Sequence, residues 1–146
     1  MVVIEFTLDR IHKTIVLILY LNKGKITKQK LSALLYLIYK EIKNIESIES
    51  WNDLNFYINM KTKEIELKPN LNEILDYLFS IWEIIDYDTK GNMIYLTKEG
   101  YKIAKYLMNE SQFKDEINIV INIMNLYGNL SEKELFNLIL DSLKHS

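Results

Sequence analysis

Leu96-Thr97-Lys98-Glu99-Gly100-Tyr101-Lys102-Ile103-Ala104 decides the fold. Threonine is a strong N-cap, so Thr97 predicts the start of a helix that runs to about Asn109. Gly100 lies inside that helix, where glycine is unfavourable by about 0.5–1 kcal/mol relative to alanine. Its presence there predicts close packing against a neighbour, and Ala104, one turn on, continues the same face. Just upstream, residues 84–87 and 93–96 read as two short strands. Asp88-Thr89-Lys90-Gly91-Asn92 joins them as a turn. A small hairpin therefore feeds directly into a helix.

Further upstream, Thr7 caps a helix reaching about Asn22, with nearly continuous apolar residues from Ile15 to Leu21. A helix apolar on most sides belongs in the centre of a core. Lys23-Gly24-Lys25 ends it, with Gly24 suited to a left-handed C-terminal position. Thr27 caps a second helix to about Lys43, with the stripe Leu31, Leu34, Leu35, Ile38 and Ile42. Residues 44–53 form a polar, acidic loop. Alternation at Leu54, Phe56, Ile58 and Met60, then at Ile65 and Leu67, predicts another hairpin, broken by Pro69. Asn70 and Glu73 form a box-like cap on a third helix. Its stripe is Leu71, Ile74, Leu75, Leu78, Ile81, Trp82 and Ile85.

Downstream, a helix covers about 113–127 and stops at Gly128. Ser131 and Glu134 form a capping box for a last helix that reaches about Lys144. The expectation is one domain over 1–146, with a core at 7–109 and a C-terminal helical pair at 113–144. The fold class is mainly α with small β.

The 49% hydrophobic content is that of a globular chain. Cysteine is absent, which excludes a disulfide scaffold and thiolate zinc sites. The longest apolar run is far short of the ~20 residues that span a bilayer. No signal-peptide pattern opens the chain. A cytoplasmic location is the expectation. Lysine, isoleucine and asparagine abound, as in an A/T-rich genome, and Arg10 is the sole arginine. The net charge of −2 hides an asymmetry: Arg10 to Lys43 carries eight basic residues and one acidic one, Glu41.

Helix, helix, strand, helix, two-stranded wing, helix is a winged-helix order. The stretch from Leu96 to Ala104 resembles the L-T-x-x-G-x-x-x-A signature that closes the wing in many archaeal and bacterial winged-helix proteins. A longer likeness spans about 10–140. It rests on Lys25-Ile26-Thr27-Lys28-Gln29-Lys30-Leu31, Leu34-Leu35-Tyr36-Leu37 and the closing Tyr127-Gly128-Asn129-Leu130-Ser131 with Leu135. This pattern is similar to small archaeal winged-helix proteins and, distantly, to the Panacea domain of SocA-like antitoxins. It departs from that family's Tyr-Gly-Pro turn, having Lys68-Pro69-Asn70 there. The resemblance implies a winged-helix core whose relatives bind DNA or proteins.

Two basic surfaces stand out. One is Lys23, Lys25, Lys28 and Lys30 around the start of the second helix. The other joins Lys90 and Asn92 at the wing with Lys98, Lys102 and Lys105 on one face of the fourth helix. Lysine without arginine favours phosphate contact over base reading. The third helix exposes Glu73, Asp76 and Glu83, which phosphates would repel, and only its start, Lys68, Asn70 and Asn72, suits DNA. His12 and His145 are isolated, and no catalytic set, glycine-rich phosphate loop or metal-ligand spacing appears. Glu46, Glu49 and Asp53 read as a solvated loop, and the ten tyrosines as packing. No cofactor or metal is expected.

The fifth helix is apolar on two sides, with Ile117, Val120, Ile121 and Met124 opposite Ile119, Ile123 and Leu126. The last helix or a second copy must cover the second stripe, so Ile119, Ile123 and Leu126 are the expected homodimer interface. The expectation is a non-enzymatic regulator on double-stranded DNA, acting as a dimer. The alternative is a protein-interaction module, antitoxin-like or an adaptor, that works through its acidic third helix.

Overall fold

The computed structural model describes residues 9–45, 51, 54–68 and 70–144. Among them are six α-helices and two small antiparallel sheets. Helix α1 is Arg10–Asn22, strand β1 is Ile26–Thr27 and helix α2 is Lys28–Ile42. Strands β2 (Asn55–Asn59) and β3 (Glu64–Lys68) form the first hairpin. Helix α3 (Leu71–Asp76) runs into a π-helical turn at Tyr77–Ile81. Strands β4 (Ile85–Tyr87) and β5 (Met93–Leu96) precede α4 (Lys98–Met108), and α5 (Lys114–Tyr127) and α6 (Glu132–Lys144) close the chain.

Helix α1 is central, as its composition requires. Every residue from Ile15 to Leu19 is at most 1% exposed. It is packed against α4 and α5, while α2 meets α5, α6 and β3. The C-terminal pair therefore completes the same core. Charge also ties α5 to α1. Glu116, buried on α5, accepts from Arg10, and Lys13 donates to Glu110 at 3.0 Å.

The sheets have separate roles. Hairpin β2–β3 pairs Asn55 with Lys68 through Asn59 with Glu64 and packs against α2. The rings of Tyr36 and Tyr39 meet Phe56 there. The other sheet has the order β1-β5-β4, with Ile26 opposite Ile94 and Ile85 opposite Leu96. Strand β1, too short to show alternation, is an element that periodicity does not reveal.

The signature stretch closes this sheet through local chemistry. Thr97 Oγ1 accepts from the Gly100 N–H at 3.0 Å and donates to the Glu83 carbonyl at 2.7 Å. The Thr97 N–H donates to the Ile84 carbonyl at 3.0 Å. A Cβ on Gly100 would lie 2.2 Å from that same carbonyl oxygen, so the close packing expected of this glycine is real.

Several local expectations need correction. Lys23, not Gly24, takes the left-handed conformation after α1, at φ 56°. The Asn22 amide donates to the Gly24 and Lys25 carbonyls and holds that turn. The Asn70 side chain caps α3 at the Asn72 N–H, but Glu73 is exposed and makes no return bond. The α3 stripe also does not run unbroken to Ile85. The π-helical turn at Tyr77–Ile81 fits an extra residue into the turn, so each residue rotates less and Ile81 is left 61% exposed, and Ile85 belongs to β4. Met60, at the hairpin turn, is exposed rather than inward. The Thr7 cap and the Pro69 break lie outside the described residues. The Ser131–Glu134 box does form, with reciprocal bonds of 3.1 Å.

Candidate nucleic-acid interface

The β1–β5 register sets the geometry. Because Thr27 pairs with Met93, Lys25 precedes β1 beside β5, and Lys28 follows it toward the β4–β5 turn. Lys25 Nζ lies 5.4 Å from the centre of the Tyr95 ring, and Lys28 Nζ 5.3 Å from that of Tyr87. Each ammonium is held over an aromatic face, an attraction of about 0.5–1 kcal/mol where exposed. Two segments distant in sequence thus meet beside the β4–β5 turn, where Lys90 and Asn92 are exposed, although Tyr87 pairs with Ile94 and Tyr95 with Asp86, so the two rings stand on opposite faces of the sheet. Tyr87 and Tyr95 were missed as site residues. Tyr95 alternates with the buried Ile94 and Leu96, which is a legible signal, whereas Tyr87 shares the strand face of Ile85 and carries none.

The β4–β5 turn is built by Asp88. Its carboxylate accepts from the Asn92 and Met93 N–H groups at 3.0 and 3.3 Å, and its carbonyl from the Gly91 N–H at 2.9 Å. Gly91 has φ 70°, the one glycine of the chain with positive φ. Desolvation raises the Asp88 carboxyl pKa, but the backbone bonds and the charge of Lys25 outweigh it and hold the group below its ordinary value.

The start of α3 joins the same region. Lys28, Asn70 and Asn72 line a cavity of about 340 Å³ between α2, β3 and α3, together with Glu64 and Glu66. Lys68 lies next to it, exposed at the end of β3. The Asn70 side chain is engaged in its cap.

Other expected contacts are diluted or displaced. Lys30 is partly buried. Burial pushes its ammonium below the usual lysine range, against the charge of Glu132. Thr27 Oγ1 also bonds Glu132, so α6 brings a carboxylate to the start of α2. Lys98, Lys102 and Lys105 are exposed on α4, with β5 between them and the β4–β5 turn. Lys102 pairs with Glu99 at 3.3 Å.

His12 is buried against Tyr77, with ring centres 4.8 Å apart. Burial lowers its pKa, and Asp9 opposes this weakly from 3.9 Å. Among the described residues, no group of three or more His, Asp or Glu side chains could hold a metal ion. Residues 46, 49, 53 and 145 lie outside the described residues. Among the described residues, no helix is long and apolar enough to cross a membrane.

The expected dimer stripe divides. Ile123 is 4% exposed within a single chain, Ile119 is partly buried against the core, and Leu126 is 59% exposed. Helix α5 lies against both α1 and α2, which is why its second side is largely covered from within.

Compared with family models, characterised proteins and solved structures, the chain finds no match.

Proposed function

We propose that the chain is a winged-helix regulator that binds double-stranded DNA through lysine–phosphate contacts. The order α1-β1-α2-α3-β4-β5-α4, with the hairpin β2–β3 inserted between α2 and α3 and with β1 completing the β4–β5 sheet, supports a winged-helix core. The observation that carries DNA binding is the β1–β5 register, which gathers Lys25 and Lys28 beside the β4–β5 hairpin, over Tyr95 and Tyr87, with exposed Lys23 and Lys90 at its margins. Helix α3, short and acidic on its open face, is not the reading element here. Phosphate contact dominates, so sequence discrimination is weak.

The test is fluorescence anisotropy with a random duplex across a salt series. Four phosphate contacts give a slope near −3.6 in log K against log salt, at about −0.9 each. Lys25→Ala and Lys28→Ala each flatten it by about one unit, for every sequence tried. Lys102→Ala changes it less, because Lys102 is paired and lies on α4. Asp76→Asn is neutral or mildly strengthening. Absence of binding at low salt, or a slope indifferent to Lys28, rejects DNA binding.

A further inference from the structure

Helix α2 carries a buried hydroxyl that the fold leaves unbonded. Ser32 is 5% exposed and stands between buried Leu31 and Ala33. A serine inside a helix can bond the carbonyl four residues back. Thr14, also buried, does so on α1 with the Arg10 carbonyl at 2.8 Å. Among the described residues, no hydrogen bond engages the Ser32 hydroxyl. Leaving a buried polar group unpaired is costly. Ser32 lies instead on the wall of the cavity of about 340 Å³ between α2, β3 and α3.

The cavity follows the edge of β3 away from β2, which pairs with no other described strand. Four successive β3 residues, 64 to 67, line it, so both faces of the strand reach it. Ile65 and Leu67 are buried on the inner face, and Glu64 and Glu66 alternate with them. The Gln29 side chain of α2 donates to the Glu64 carboxylate at 3.2 Å, which brings that carboxylate round the edge to the helix. Ser32 follows Gln29 by three positions, on the same side of α2. The hydroxyl and the carboxylates therefore open into one space.

Charge decides what fits. Among the described residues, neither Glu64 nor Glu66 is ion-paired; each is bonded by an amide alone, Glu66 by Asn59 at 3.1 Å. The one ammonium on the lining, Lys28, is drawn onto the Tyr87 ring. Both helix starts are already capped, the Lys30 N–H by Thr27 and the Asn72 N–H by Asn70, so donors that would attract an anion are in use. We propose that the cavity binds a small organic diamine, with its ammonium groups on Glu64 and Glu66 and one N–H donating to the Ser32 oxygen. Carboxylates two positions apart on a strand stand about 6.5–7 Å apart along it, a separation that a four-carbon chain spans. The site borders Lys28 of the basic surface, but it does not depend on DNA binding.

The experiment is calorimetric titration of the full chain, without DNA, with 1,4-diaminobutane, its fully N-methylated analogue, n-butylamine, magnesium chloride and inorganic phosphate. The diamine binds one to one. The methylated analogue keeps both charges but cannot donate from its quaternary nitrogens, and butylamine has one charge; each binds about tenfold more weakly or not at all. Ser32→Ala weakens the diamine about tenfold and at the same time raises the urea midpoint of the unliganded chain, because an unpaired hydroxyl is removed and helix propensity improves. Glu64→Gln with Glu66→Gln weakens it about tenfold as well, whereas Glu41→Gln with Glu99→Gln, an equal change of net charge elsewhere, leaves it unchanged. Circular dichroism confirms that each variant is folded. No heat with the diamine overturns the proposal. So does equal affinity for the methylated analogue, which makes the attraction unspecific. Magnesium or phosphate binding more tightly than the diamine overturns the ligand class. Diamine affinity indifferent to Ser32→Ala, or a lowered urea midpoint in that variant, makes Ser32 a packing residue and overturns the site. A chain that fails to bind duplex but passes these tests loses the DNA reading and keeps this one.

Discussion

Replacing Gly100 by alanine puts a methyl group 2.2 Å from the Ile84 carbonyl oxygen and 3.1 Å from a Leu96 methyl. Carbon contacts are optimal at about 3.5–4.0 Å, so the obstacle must yield by more than an ångström. It is backbone, and it is anchored: the Ile84 oxygen accepts from the Thr97 N–H at 3.0 Å and from its hydroxyl at 3.1 Å. Forced overpacking costs about 1–3 kcal/mol. Stretching one of these bonds adds about 1 kcal/mol. Alanine's better helix propensity returns up to about 1 kcal/mol. The net loss is about 2 kcal/mol, equivalent to a urea midpoint lower by about 1 M at an unchanged slope. Urea titration followed by circular dichroism at 222 nm measures it. Gly24→Ala is the control, since nothing lies within 4 Å of its added carbon and its φ is not positive. That change is neutral or stabilising by up to about 1 kcal/mol. Gly100→Ala as stable as the parent would refute the close approach of α4 to β4 and, with it, the physical account of the Leu96–Ala104 stretch.

The π-helical turn makes its own forecast: Leu78→Ala, at a fully buried position, costs about 2–5 kcal/mol, whereas exposed Ile81→Ala stays within about 0.5 kcal/mol. Equal losses at both sites in denaturant melts would mean that the helix continues in regular phase. His12, whose folded pKa lies below its ordinary 6.5 because of burial, stabilises the fold fully only above about pH 6.5, since below it the unfolded chain binds the extra proton. Stability measured from pH 7.5 to 5 should fall for the parent and flatten in His12→Phe; identical pH curves would place His12 in solvent.

Much of the fold is legible in the residues because its causes are local. The cap at Thr27, the Ser131–Glu134 box, the turn at Asp88–Asn92 and the α2 stripe each depend on a few neighbouring residues. The asymmetry of charge before Lys43 and the acidity of α3 are also written in the chain. What the tertiary structure alone decided is where these charges meet. The two-residue pairing of Ile26 and Thr27 with β5 carries too little pattern to be seen in sequence, yet it sets Lys25 and Lys28 beside Tyr95 and Tyr87. The position of α6 brings Glu132 to the start of α2, 105 residues away from Thr27 in sequence. Hydrophobic spacing also fails at the π turn, because it assumes a constant rotation per residue. One added residue in the turn carries Ile81 from the expected core to the surface. Local propensity fixes what each segment becomes, but long-range pairing and helix phase determine which side chains share a surface.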